Sequence, residues 1–255
     1  MSLIETSLYS NILKKEMRLC VYRPSGYDTE PLPVLYFLHG RTGNEQLLRQ
    51  LAMDKTADEM LQAQAIKPMM IVCPHLDNSR GINSAEVYRE VKGKYGTVHK
   101  GRYEDYLVDE LIPFTERSFQ CVKTRKGRYI GGISSGGCTA LQIALLHRDL
   151  FSKVGGHMPA IDLSFADEDE CYFESEAMWL KYNPIQIAKG FSSCPLKVFL
   201  DDGKDDEGQF YRACENLYQI LKQKGAQVQN HLFDGAHDAA YILSNMKTYL
   251  RFYGA

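Results

Sequence analysis

Three things are scarce in these 255 residues, and each absence closes off a class of explanation. No two of the seven cysteines, at 20, 73, 121, 138, 171, 194 and 214, stand closer than 17 residues. That spacing leaves no CxxC, no zinc-ligand pattern and no compact disulfide framework, and it predicts free thiols in a reducing compartment. Long apolar runs are missing as well: no stretch approaches the ~20 residues that a membrane span needs. MSLIETSLYSNILKKE has no uninterrupted apolar segment of the kind a secretory leader carries. A cytoplasmic chain is expected. The third absence is an excess of charge. Thirty Lys and Arg against 32 Asp and Glu give −2, which argues for neither nucleic acid nor an anionic membrane as partner.

What is present suits a packed protein: 44% hydrophobic and 24% charged residues exclude global disorder. No repeat or long linker divides the chain, so a single domain over residues 1–255 is expected. Short strand-like runs alternate with helical patterns. MRLCVYRP (17–24), PVLYFLHG (33–40), PMMIVCPH (68–75), RYIGGIS (128–134), SKVGGHMPA (152–160), PLKVFLDDG (195–203) and AQVQNHLFDG (226–235) read as strands or contain them. Helical patterns cover 45–65, 103–119 with Pro113 at a bend, 138–148 and 208–224. The last element spaces Ile242, Met246, Tyr249, Leu250 and Tyr253 as a helix does. Strands this continuously apolar, each followed by a helix, imply an α/β fold with a mostly parallel central sheet flanked by helices on both faces. Functional groups in such sheets gather at the carboxyl ends of the strands.

At one such end the strand RYIGGIS passes into CTALQIALL through Gly132-Ile133-Ser134-Ser135-Gly136, a G-x-S-x-G sequence. The glycines let strand and helix pass each other at a sharp turn that lifts the serine out, and the helix N-terminus faces charge developing beside it. A glycine-rich βα turn can also serve packing or phosphate binding alone, but this strand–turn–helix context favours a nucleophile. Ser134 then needs a base oriented by a carboxylate, in the chain order Ser, Asp or Glu, His. His147, His157, His231 and His237 lie downstream. His147 falls inside a helix and His231 inside a strand, whereas His237 follows the last strand, where the base belongs. Asp201, Asp202, Asp205 and Asp206 are the candidate carboxylates. For the oxyanion hole, the backbone N–H groups of Ser135 and of Arg41, in the loop after an early strand, are the expected donors.

These pieces, VLYFLHGRTGNE, YLVDELIPFTERSF, YIGGISSGGCTAL, YNPIQIA, GKDD and GAHD, resemble an esterase branch of the α/β-hydrolases from about residue 18 to 252. That branch holds esterase D (S-formylglutathione hydrolase), feruloyl and acetyl-xylan esterases, tributyrin esterases and mycolyltransferases. The resemblance implies the α/β-hydrolase fold, with Ser134, Asp206 and His237 at the triad positions, and the amides of Arg41 and Ser135 at the oxyanion hole. The family spacing G-x-x-D after Gly203 selects Asp206; Asp205 is then expected to face solvent or cap the next helix. Two departures bear on substrate. Thioesterase members carry a cysteine where this chain has Arg41-Thr42-Gly43, and the elbow is Ser134-Ser135-Gly136-Gly137 rather than Ser-Met-Gly-Gly.

Residues 161–183 are expected to form a short cap-like insertion. Its acidic run (Asp162, Asp167, Glu168, Asp169, Glu170, Glu174, Glu176) is read as solvated and its aromatics, Trp179 among them, as a pocket wall. Residues 76–102 read as a basic, tyrosine-bearing loop. His39 and His157 are further candidates for the pocket lining. The expectation is a serine esterase for short acyl or aryl esters, such as acetylated or feruloylated sugars, with a small-molecule ester as its partner and no metal or organic cofactor. Homo-oligomerisation is left open. The alternatives are thioester hydrolysis or acyl transfer by the same triad, and an α/β-hydrolase fold kept as a non-catalytic binding module.

Overall fold

The computed structural model describes residues 3–255. Its strands are β1 (Leu3–Ser10), β2 (Lys15–Tyr22), β3 (Val34–Leu38), β4 (Met70–Pro74), β5 (Arg89–Gly93), β6 (Gly96–Lys100), β7 (Arg128–Ile133), β8 (Lys153–His157), β9 (Lys197–Gly203) and β10 (Gln227–Phe233). Its helices are α1 (Leu47–Gln50), α2 (Met53–Gln62), α3 (Tyr103–Asp105), α4 (Ile112–Ser118), α5 (Ser135–Leu146), α6 (Glu170–Phe173), α7 (Glu176–Tyr182), α8 (Pro184–Lys189), α9 (Tyr211–Gln223) and α10 (Ala239–Gly254). Eight strands form one sheet in the order β1-β2-β4-β3-β7-β8-β9-β10. From β4 through β3 to β10 every pairing is parallel; β2 pairs antiparallel with both β1 and β4.

Side chains alternate across a strand, so a sheet covered on both faces divides each apolar run between two cores. Val34, Tyr36, Leu38, Val198 and Leu200 pack on one face with Leu141 and Leu145 of α5 and Leu217 of α9. Leu35, Phe37 and Phe199 pack on the other with Met53 of α2 and Ile242, Met246 and Tyr249 of α10. Both layers are needed to hide strands whose residues are almost all inaccessible to solvent.

Two regions depart from the expectation. The helix over 103–119 keeps its extent, but between α3 and α4 residues Tyr106–Leu111 form a π-helical segment. Pro113 lacks an N–H and its ring crowds the carbonyl four residues back, and a wider turn relieves that clash. The supposed loop 76–102 contains the β5–β6 hairpin. Its basic residues meet the acidic insertion: Arg89 and Lys100 each lie 2.6 Å from Glu174, and Lys94 lies 2.6 Å from Glu168. Ile82, Val98, Tyr172, Phe173, Trp179 and Tyr182 form a satellite core between hairpin and insertion. The acidic run is therefore partly neutralised by its neighbour instead of standing free in water.

Candidate active site

Ser134 stands between β7 and α5 with φ 52° and ψ −123°, a region that side-chain-bearing residues adopt at a cost of about 1–3 kcal/mol. The surrounding backbone enforces it. A Cβ on Gly132 would meet the Gly136 backbone at 2.6 Å, and one on Gly136 would meet the His39 carbonyl at 2.3 Å. Only glycine at both positions lets β7, α5 and the end of β3 converge. The Ser134 N–H donates to the His157 carbonyl at 2.9 Å, and the Ser134 carbonyl accepts from Ala160 N–H at 3.0 Å. The turn is thus fixed from the neighbouring strand β8.

Two further strand ends bring the partners. The loops after β9 and β10 are joined by backbone bonds from Lys204 N–H to Phe233 O (2.9 Å) and from Asp205 N–H to Gly235 O (3.0 Å). Gly203 permits this, since a Cβ there would lie 2.3 Å from the Gly235 carbonyl. Asp238 caps α10 by accepting from Tyr241 N–H at 2.9 Å, which anchors the chain just after His237. Asp206 Oδ2 accepts from His237 Nδ1–H at 2.8 Å, and Asp206 Oδ1 accepts from Gly208 N–H at 2.8 Å. The Ser134 hydroxyl donates to His237 Nε2 at 2.9 Å. Asp206 is sealed, while the His237 side chain keeps 27% of its surface open. The Phe210 ring packs 5.5 Å from the imidazole. Asp205 is exposed, and α9 begins without a side-chain cap.

The oxyanion candidates adjoin this chain. Ser135 is the first residue of α5, where an N–H has no intrahelical acceptor. Among the described residues, neither its N–H nor that of Arg41 donates to a protein acceptor. Gly40 packs against the nucleophile turn, its α-carbon close enough that an added Cβ would lie 3.4 Å from Ser134 Cβ. A hydroxyl, an imidazole and a carboxylate in series can deprotonate a nucleophile, and an unpaired amide facing the hydroxyl can stabilise an oxyanion. Asp202, Asp206 and His237 each offer a ligand atom within 4.8 Å of the others, but the His237 and Asp206 atoms are already bonded to each other and a metal would have to break that contact.

A model of the family described as "Putative esterase" matches residues 10–253. The chain belongs to this esterase family. Family membership makes it a carboxylic ester hydrolase, and solved structures agree in fold. A ferulic acid esterase superposes with a TM-score of 0.83 at 19% identity, over 99% of this chain and 97% of that one. An S-formylglutathione hydrolase from Agrobacterium tumefaciens gives 0.80 at 20% identity, over 100% and 99%. A fluorophosphonate-binding serine hydrolase from Staphylococcus aureus gives 0.79 at 20%, over 99% and 98%.

Of three residues expected to line the pocket of this esterase, His157 and Trp179 sit elsewhere, while His39 lines a small cavity beside Arg41 and Ser135. His157 has no exposed surface. From Val154, which faces α5, strand alternation turns the His157 ring to the α10 face. There it stacks on Tyr249 at 3.7 Å and bonds Asp201. Only its backbone carbonyl serves the elbow. Trp179 is buried in the satellite core, against a cavity of about 20 Å³ shared with Arg80 and Cys138. His39 is also buried; its Nδ1–H donates to Gly40 O at 2.8 Å, and its Nε2 accepts from Leu76 N–H at 2.9 Å. Burial lowers its pKa to about 4, so the ring is a neutral strut behind the Gly40–Arg41 loop. Two contacts were not foreseen: Phe210 on His237, and Tyr95 of the hairpin 4.3 Å from the Arg41 guanidinium. The two-residue Lys94-Tyr95 turn before Gly96 was the available signal for the second. Two larger clefts of the esterase, about 630 and 410 Å³, open at the other end of the sheet beside Lys153 and Lys197, where β8 and β9 begin.

Proposed function

We propose that the chain works as one domain and hydrolyses esters with short acyl or aryl groups through Ser134, His237 and Asp206. The observation that carries this reading is the unbroken series of hydrogen bonds, 2.9 and 2.8 Å long, from the strained serine through the imidazole to the buried carboxylate. Ser134 Oγ attacks the ester carbonyl as His237 Nε2 takes its proton. Asp206 holds Nδ1–H and stabilises the imidazolium. The Arg41 and Ser135 amides receive the oxyanion, each donor in such a hole being worth about 10²–10³ in rate. His237 then protonates the departing alcohol, and water, deprotonated by the same nitrogen, releases the acid from the acyl-serine.

The short-acyl preference is supported by space. The cavities beside Gly40 and Ser135, and beneath the 161–183 insertion, hold only about 20 Å³ each, the second narrowed by Phe173, Trp179 and Tyr182, which pack in the satellite core. A long acyl chain finds no tunnel there. The test is a panel of esters in which acyl and alcohol halves vary separately, with S-formylglutathione and a competing alcohol as added arms. Acetyl and aryl esters should turn over fastest. A preference for acyl chains of eight or more carbons, for the thioester, or for transfer to the alcohol over water would replace this reading with another of the same chemistry.

A further inference from the structure

β9 ends in two adjacent carboxyl groups, Asp201 and Asp202, both fully buried and turned to opposite faces of the sheet. Asp201 faces α10 and is fully satisfied: His157 Nδ1 at 2.7 Å on one oxygen, and the Tyr241 and Tyr249 hydroxyls, both at 2.7 Å, on the other. Asp202 faces the α9 side. Its Oδ1 accepts from Gly203 N–H at 2.9 Å. Among the described residues, no N–H or O–H is aimed at its Oδ2, which is buried. The polar group it does meet is the Asp206 carboxyl.

Two buried carboxylates in contact cannot both stay ionised, and one of them keeps a proton. The surroundings decide which. Asp206 has His237 Nδ1–H and Gly208 N–H to hold a negative charge, whereas Asp202 has a single backbone donor. We propose that Asp202 is a positioning residue, a neutral carboxylic acid whose O–H donates to Asp206 and keeps that carboxylate aligned with His237. This rests on the triad reading above.

The other titratable groups around Asp202 are Asp201 on its own strand, Cys214 from α9, Tyr241 from α10, Asp206 itself, and His237, which gives its Nδ1–H to Asp206. Burial holds the Cys214 thiol and the Tyr241 phenol neutral, and Tyr241 is committed to Asp201. Burial first, and the adjoining Asp206 second, push Asp202 up to about 8. Because this value lies above that of an unfolded carboxyl group, the native state binds the extra proton. Stability is fullest at low pH and declines as pH rises through the window from about 4 to about 8. Above it, two touching negative charges drive Asp206 away from Nδ1.

Asp202→Asn presents an amide N–H to Asp206 at every pH, whereas Asp202→Ala presents nothing. Between pH 5 and 9 the melting temperature of the wild-type protein should fall relative to that of Asp202→Asn. Its kcat/KM should decline above about pH 8, and the variant's should stay flat. Asp202→Ala should lower kcat about tenfold at pH 7 with KM unmoved, the scale of one charge-assisted hydrogen bond, and Asp202→Asn should recover most of that loss. Parallel melting and rate profiles for wild type and Asp202→Asn, or a folded Asp202→Ala with wild-type kcat, would overturn the proposal. If no ester is hydrolysed by any form, the triad reading fails instead, and the melting profiles still decide where the proton sits.

Discussion

The molecule contains two histidine–aspartate pairs of nearly the same length, and they have different fates. His157 Nδ1 lies 2.7 Å from Asp201, and His237 Nδ1 lies 2.8 Å from Asp206. The first pair has no solvent access, and Tyr253, 3.1 Å from His157 Nε2, occupies the place that Ser134 holds in the second. Phe37, Phe199 and Tyr249 close in around that ring. An imidazole bonded to a carboxylate is therefore no active site by itself. The difference lies in the third group and in whether a substrate can reach it.

The largest expected effect belongs to the open pair. Ser134→Ala and His237→Ala should each lower kcat by about 10⁴-fold or more, since triad members act as a unit. Both should still melt cooperatively close to the wild-type temperature. If His237→Ala retained even a tenth of wild-type kcat, the contrast between the two pairs would collapse. Asp206→Asn comes next. Its amide favours the wrong imidazole tautomer, and kcat should drop by up to ~10⁴-fold, while exposed Asp205→Asn stays within about tenfold. Steady-state kinetics on the two variants in parallel decide the matter.

The closed pair should register in stability. His157→Phe fills the site but strips Asp201 of its imidazole partner, and loss of one member of a buried pair costs about 3–5 kcal/mol. Urea unfolding should show that loss, with kcat of the folded fraction within about threefold of wild type. The Ser134–His157 bond survives in this variant because it uses the backbone carbonyl. A variant that is fully stable yet inactive would mean that His157 belongs to the reaction after all.

What could be read from the sequence was whatever is written locally. The two-core division follows from alternation within VLYFL and KVFLDDG, and the elbow from glycines whose neighbours admit no Cβ. The place of His237 after the last strand followed from chain order, while the family spacing was needed to separate Asp206 from three neighbouring carboxylates. β1 is hard to read because, as an edge strand with six of its eight residues half-exposed or exposed, it carries little apolar signal. The hairpin reads as a loop because its basic residues Arg89, Lys94 and Lys100 find partners across the fold, in Glu168 and Glu174. His157 was misplaced because a histidine at a strand end looks the same in sequence on either face. Asp202 was set aside because its proton depends on how near the turn brings Asp206, a distance that no spacing rule contains.

The central claim is that solvent access and a serine partner make Ser134 the single activated hydroxyl beside the open pair. The most direct measurement is covalent labelling with a fluorophosphonate, followed by peptide mass mapping of wild type, His237→Ala and His157→Phe. The account predicts one adduct on Ser134 in wild type and in His157→Phe, formed at comparable rates, and almost none in His237→Ala. An adduct on Ser135 or elsewhere, or labelling of Ser134 that survives loss of His237, would contradict it.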